Sequence, residues 1–379
     1  MKYTKPIFIF LAICLTWVLI LPSVYYSDTN TTNSITVDLN VDPLYSGYQF
    51  QTDSSHINIG IQPLGVPIGA VAELLKRDQL LQSELKQLGF KMNFFAFFSG
   101  RDLNFFWDKG LDVGMSGDMP TLVAAAHNDI IITSLIKQEF SSLVAREYGF
   151  LSGLIGKKIA VPFGSNAHYS VLRALNIEGI KQTDVKLINL NVHQMTQAIM
   201  EKKIDAFAAW EPFPSLAGIL HPELVIIHKG LSTSYLFFSK PFFNKHPEIS
   251  KLIIAGQIRA MRWMNQSQDN LIKASEWQLQ AYKKFANKES VLSVEQNAKL
   301  IYKGLLSISE TPSIPEKSLK DNGFLHQAFL FLQDTQKINP TKSWKEVHKN
   351  FNTEILFDVL ANKSRYRLDQ FNYRLNSDE

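Results

Sequence analysis

One cysteine occurs in 379 residues, Cys14, and it lies inside an uncharged apolar run. The body that follows therefore has no disulfide, no thiol nucleophile and no thiolate metal site. No Walker A loop and no dinucleotide fingerprint appears. Of the nine histidines, His56, His127, His168, His193, His221, His228 and His246 are scattered, with no HxxxH spacing on a helix. His221-Pro222-Glu223 and His246-Pro247-Glu248 read as turns or helix starts, not as ligand sets. Ser, His and Asp all occur, but nothing sets them out as a triad. Charge of one sign is also missing. The 39 basic and 35 acidic residues are interspersed, the net charge is +4, and no basic cluster is interleaved with aromatics. Nucleic acid is not an expected partner, and no cofactor or metal is expected.

Long hydrophobic runs are scarce as well, with one exception. Lys2 and Lys5 flank the start of IFIFLAICLTWVLILPSV, residues 7–24, which carries no charge. This is the basic and apolar pattern of an export signal. A run of about 18 residues is at the lower edge of what spans a bilayer. No Ala-x-Ala precedes a cut near Ser23–Ser27, so residues 1–26 read equally as a signal peptide or as a retained signal anchor. In both readings the leading positive charge sends the rest of the chain out of the cytoplasm. Ile13 is large where a lipoprotein box needs a small residue, so lipidation of Cys14 is not expected. Residues 27–55, rich in Ser, Thr, Asn and Asp, read as a polar linker.

The body is 45% hydrophobic along with the rest of the chain, enough for one large core or two moderate ones. From His56 on, strand-like and helix-like runs alternate: INIGIQP, GAVAELLKRDQLLQSELKQLG, KMNFFAFF, RDLNFFWDKG, LDVGMSG, DMPTLVAAAHN, DIIITSLI. Repeated β-α order implies a parallel sheet flanked by helices. The pattern restarts with GKKIAVPFG and AHYSVLRALNIEG, followed by further strand and helix runs and a long helical region from Ile249. Two such units suggest two lobes, with chain crossings near residues 132–146 and 233–240. Ligands in open α/β sheets sit at the carboxyl ends of strands, here Gln62–Pro67, Ser116–Pro120, Phe163–Tyr169 and Trp210–Phe213. In VPFGSNAHYSVLRAL, residues 161–175, Ser165 sits at an N-cap position. The free N–H groups of that helix start suit an acidic group.

LDVGMSGDMPTLVAAA, KKIAVPFGSNAHYSVLRAL and AIMEKKIDAFAAWEPF, in that order, carry a resemblance. Over about residues 56–285 the chain resembles the substrate-binding proteins of ABC importers for nitrate, taurine and aliphatic sulfonates. The resemblance implies a two-lobed α/β fold of the type II periplasmic-binding-protein kind, each lobe a mostly parallel sheet flanked by helices, with two crossover hinge strands. It implies lobe 1 over 56–140, lobe 2 over 141–233, and a return to lobe 1 with C-terminal helices over 234–379. It implies a monomeric binding protein that hands a small polar or anionic solute to an ABC permease and its ATPase, with the membrane reached through the N-terminal segment. By the same likeness Ser116, Gly117 and Asp118 form the first-lobe ligand loop, and Ser165, Asn166, Ala167 and His168 the second. Trp210 and Glu211 line the cleft wall, Gln62 follows the first strand, and Tyr235 stands at the return hinge.

The sequence departs from a simple anion site in two ways. No Arg or Lys falls within the four loops, and Asp118 and Glu211 bring carboxylates near the cleft. Either they meet an amine or cationic ring on the ligand, or they cap helices; for Asp118 the cap is the preferred expectation. His168 reads more readily as a packing residue than as a ligand contact, and Trp210 equally as a stacking platform or as core. Thiamine-pyrimidine synthases share the superfamily, but their cysteine-rich motif is missing, so an enzyme is not expected. A membrane-tethered sensing module is the third reading.

Overall fold

The computed structural model describes residues 44–51, 53, 55–147 and 149–374. The apolar segment 7–24 with Cys14, and residues 27–43 of the expected linker, lie outside the described residues. Eight strands form one sheet: β1 (His56–Ile61), β2 (Lys91–Ala96), β3 (Val113–Gly117), β4 (Ile130–Ala145), β5 (Lys158–Val161), β6 (Lys186–Asn189), β7 (Ala206–Ala209) and β8 (Val225–Ser239). Their order is β2-β1-β3-β8-β4-β7-β5-β6. β1 runs parallel to β2 and β3, and β5 runs parallel to β6 and β7. Ile57 and Ile59 of β1, and Ile159, Ala160 and Val161 of β5, are wholly buried, as strands covered by helices on both faces require.

The two halves are joined by an antiparallel ribbon. β4 is 16 residues long and β8 is 15, and they pair from Ile130↔Ser239 to Ala145↔Val225. The run DIIITSLI ends the expected strand at Ile136, whereas β4 continues to Ala145. Lys137, Glu139, Ser141, Ser232, Thr233 and Ser234 interrupt the apolar pattern at the crossing and are buried. Ladder hydrogen bonds come from the backbone and do not need apolar side chains. Register shifts at Ile132/Ser134, Leu135/Lys137 and Leu143/Val144 flank this polar stretch and sharpen the local twist.

A single expected helix over residues 69–89 is two, Ile68–Arg77 and Gln79–Gln87. Asp78 stands between them, accepting from the N–H groups of Leu80 and Leu81, both at 3.0 Å, and pairing with Arg259 at 2.7 Å. The apolar period continues across the break, so periodicity does not register it. The long helical region likewise divides at Ser267, which caps the helix Gln268–Ala286 after the helix Pro247–Gln266.

One large apolar core fills the β1–β3 half, and the C-terminal helices join it. The β5–β7 half has two small cores, one on each face, around Ile159, Val161 and Val171 and around Ala160, Met195 and Phe207. The expected linker does not stay polar to residue 55. Tyr45 is buried, its hydroxyl donates to Asp102 at 3.1 Å, and Tyr48 and Phe50 pack on Phe95, 5.4 and 4.3 Å between ring centres. These aromatics bring enough apolar area to dock an otherwise polar segment. Among the described residues no helix is long and apolar enough to cross a membrane.

Candidate functional site

β3 ends at Gly117, and the helix Asp118–His127 starts at once. The N-cap is Gly117, which corrects the expectation for Asp118: that residue opens the helix from inside its first turn. Its carboxylate is enclosed by donors. Oδ1 accepts from Met119 N–H at 2.8 Å, and Oδ2 accepts from Thr233 N–H at 3.1 Å, Thr233 Oγ1 at 3.2 Å and Asn166 Nδ2 at 2.9 Å. Burial pushes the Asp118 carboxyl up; the Thr233 and Met119 N–H groups, the nearby Lys137 ammonium and the Thr233 hydroxyl pull it back down.

Asn166 opens the helix that follows β5, in the other half of the molecule. Ser165 ends the β5 turn as N-cap of the helix Asn166–Ile177, its Oγ accepting from His168 N–H at 3.2 Å. Asn166 donates to both Asp118 and the Leu231 carbonyl (3.0 Å), and its Oδ1 accepts from Ser141 at 2.6 Å. Asp118 and Asn166 thus tie the two halves together across the ribbon. Tyr235 is buried behind them with its hydroxyl 2.9 Å from Thr233 Oγ1. Burial first, and then Asp118, raise the Tyr235 phenol well above its ordinary value.

The other expected residues take different places. Ser116 is buried against Thr121, 3.1 Å between hydroxyls, and Gln62 donates to the Met115 carbonyl at 2.8 Å, tying β1 to β3. Ala167 is wholly buried in the second core and offers no surface to a ligand. Trp210 is half-buried between the two small cores. Glu211 accepts from Ser215 N–H at 3.3 Å, over the start of the helix Phe213–Leu220.

His168 is a packing residue. Its ring stacks on Phe163 at 4.9 Å and meets the edge of Phe331 at 5.3 Å, and Nδ1 accepts from Gly164 N–H at 3.2 Å. Burial, helped by Lys337, lowers its pKa to about 4. The unfolded chain takes up the proton first, near pH 6.5. The stability linked to this group is full above that pH and is lost as pH falls towards 4. Relative to His168→Phe, the wild-type protein should lose about 3 kcal/mol between pH 7 and pH 4 in urea titrations. Parallel pH profiles for the two proteins would refute this role.

Sequence reasoning missed a buried charged pair where the two halves meet. Lys137 and Glu139 lie on β4 where the halves meet, 5% and 7% exposed. Lys137 Nζ is 3.1 Å from Glu139 Oε1 and 3.2 Å from Ser232 Oγ. Gly304 brings the helix Val294–Leu305 close: a Cβ there would meet Pro67 Cδ at 2.8 Å and the Lys137 stem at 3.5 Å. The signal was the polar run KQEFSS inside an apolar strand, opposite STS on β8. At the rim Phe98 meets Phe285 at 4.8 Å and the edge of His193 at 6.2 Å, and His193 meets Phe213 at 4.9 Å. On the opposite face the helix Phe324–Asp334 packs on both Asp118–His127 and Asn166–Ile177. The two lobes are thus in contact, with Asp118, Lys137, Glu139 and Asn166 buried where they meet. Among the described residues no group of three or more metal-ligating side chains occurs.

Residues 116–279 match the model of the NMT1-like family. The taurine-binding periplasmic protein of Escherichia coli (strain K12) is 27% identical over 223 residues, which is 56% of this chain and 68% of that protein. The periplasmic aliphatic sulphonate binding protein SsuA of Escherichia coli superposes with a TM-score of 0.59 at 19% identity, over 78% of this chain and 92% of that one. An enzyme shares the architecture too: the desulfurization enzyme DSZB superposes with a TM-score of 0.54 at 11% identity, over 81% and 99% of the two chains. The chain thus matches the NMT1-like family model over residues 116–279, is similar in sequence to the periplasmic taurine-binding protein, and has the fold of the sulphonate-binding proteins.

Proposed function

We propose that this chain is an extracytoplasmic binding protein that captures a small organic sulfonate between its two lobes and delivers it to the permease of an ABC importer. The observation that carries this reading is the buried Lys137 ammonium on the crossing strand, close enough to the helix start at Asp118 to act on that carboxyl. It supplies the positive charge that the four loops lack, and helix N-termini add partial positive charge around it. The Ser116–Asp118 and Ser165–Asn166 turns, with Trp210 and Glu211 beside them, are the jaws. Opening parts Asn166 from Asp118 and Phe98 from His193; closure on a ligand touching both lobes restores a compact state. In this reading residues 7–24 direct the chain out of the cytoplasm, as a cleaved signal or a retained anchor. The protein works as a monomer without a cofactor and returns its ligand unchanged.

Thermal unfolding with added taurine, alkanesulfonates, nitrate and acetate tests the reading. A ligand at 100 times its Kd stabilises the folded state by about 2.7 kcal/mol, so a true sulfonate should raise the midpoint by a few degrees while acetate leaves it in place. Unchanged midpoints with every sulfonate would remove the proposal, and chemical conversion of the added sulfonate would favour catalysis.

A further inference from the structure

The helix Phe324–Asp334 lies beyond residues 116–279, the stretch that matches the NMT1-like model, and it touches both lobes. Its lobe 1 side is firmly built in. Leu325, Ala328, Phe329 and Leu332 are buried in the large core, and Trp344 packs on Phe329 at 5.7 Å between ring centres. The chain then joins β4: Ile132 N–H donates to the Asn350 carbonyl at 2.7 Å, and Asn352 N–H to the Ile132 carbonyl at 2.9 Å. His127, at the end of the helix Asp118–His127, donates from Nε2 to the Lys337 carbonyl at 3.2 Å.

The lobe 2 side is different in kind. Phe331 meets the edge of His168 at 5.3 Å and Tyr169 at 5.2 Å, and Phe324 meets Tyr169 at 6.4 Å. The Lys337 stem lies on the turn before that helix, where a Cβ on Gly164 would meet its Cε at 2.9 Å. The helix Asn166–Ile177 therefore has two apolar faces. Ala167, Val171 and Leu175 enter a small core of lobe 2, whereas Tyr169 and Leu172 pack on the large core of lobe 1. Ring and stem contacts carry no direction. Parting them exposes apolar surface at a cost set by its area, without the penalty of an orphaned hydrogen-bonding group. The β4–β8 ribbon joins the lobes along one line and leaves rotation about it free, so contacts away from that line set the angle. We infer that the helix Phe324–Asp334, with Lys337, is an interlobe latch: it belongs to lobe 1, grips the helix Asn166–Ile177 of lobe 2, and keeps the lobes together before any ligand arrives. The lobes part when Phe331 leaves His168 and Tyr169.

Electron-spin distance measurements on the full chain test the latch without any ligand, so the result is independent of the sulfonate reading. Spin labels go on Lys86→Cys in lobe 1 and Lys181→Cys in lobe 2, both exposed, with Cys14→Ser to keep the labelling specific. The otherwise unaltered chain should give one dominant distance. Phe331→Ala and Tyr169→Ala should each lower the ratio of that distance to longer ones by about tenfold, the reach of one aromatic pair. The double variant should fall short of the product of the two, because both remove the same ring contact. Repeating the series with Asn166→Ala, which cuts the Asp118 tie, raises the parted fraction and brings small shifts into view. Tyr169 is half-buried on the surface of its helix, so Tyr169→Ala leaves the lobe 1 core intact if Phe331→Ala fails to fold; circular dichroism checks both. A distance distribution that Tyr169→Ala leaves unchanged in the Asn166→Ala chain overturns the inference. So does a broad spread of long distances in the chain that keeps Phe331, Tyr169 and Asn166.

Discussion

Asp118→Ala is expected to lower the stability of the protein by about 3–5 kcal/mol, the range for removing one partner from a buried charged network. The carboxylate is 2% exposed and accepts four hydrogen bonds. Alanine leaves the Thr233 and Met119 N–H groups and the Asn166 amide buried without their acceptor, and each orphaned donor costs about 1–3 kcal/mol. Asp118→Asn should cost less, since it keeps one acceptor oxygen, but its new NH₂ group faces that of Asn166. Guanidinium unfolding measures both. Because Asn166 comes from the opposite lobe, a double-mutant cycle with Asn166→Ala should return a coupling energy of about 0.5–3 kcal/mol. A loss below about 1 kcal/mol for Asp118→Ala would mean that the interlobe tie carries no weight.

Lys137→Met should weaken sulfonate binding by roughly one to two orders of magnitude. A charge-assisted hydrogen bond contributes about 1.5–3 kcal/mol, which is roughly 10- to 150-fold in affinity. The same change strands Glu139 as a buried carboxylate and should cost about 3–5 kcal/mol of stability. The two effects separate in the double variant Lys137→Met/Glu139→Gln. Removing both charges relieves the stranded carboxylate, so the unfolding midpoint should return most of the way to wild type while binding stays weak. Wild-type affinity in that double variant would show that Lys137 serves the fold alone.

Much of the architecture was readable from local pattern. The alternation of INIGIQP, LDVGMSG and KKIAVPFG with helical runs implies parallel strands under helices, and these segments are β1, β3 and β5. Gly-Ser-Asn after KKIAVPF marks a helix start, and Ser165 caps that helix. Where a residue's role depends on its immediate neighbours in the chain, spacing suffices, because helix and strand periods are local properties. The same reasoning failed wherever a partner came from far along the chain. Ala167 follows the capping turn in sequence, yet the helix rotates it into the core. Asp118 looks like a cap, yet its Oδ2 is filled by Thr233 and Asn166, 115 and 48 residues away.

The crossing strands show the division most clearly. Composition and periodicity determined that the chain makes two β-α units, that its body has no thiol chemistry, and that its apolar segment lies at residues 7–24. They placed a crossing near residues 132–146 but ended the strand at Ile136, because a polar run in an apolar strand reads as an ending when its environment is unknown. Tertiary structure decided that β4 and β8 pair along their whole length, which places Lys137 and Glu139 between two lobes instead of in solvent. Burial then changes what those charges do: in water a lysine and a glutamate two residues apart interact weakly, whereas buried between the two lobes their attraction is strong and their isolation costly. Residue identity supplied the charges, and the fold alone set the medium in which they act.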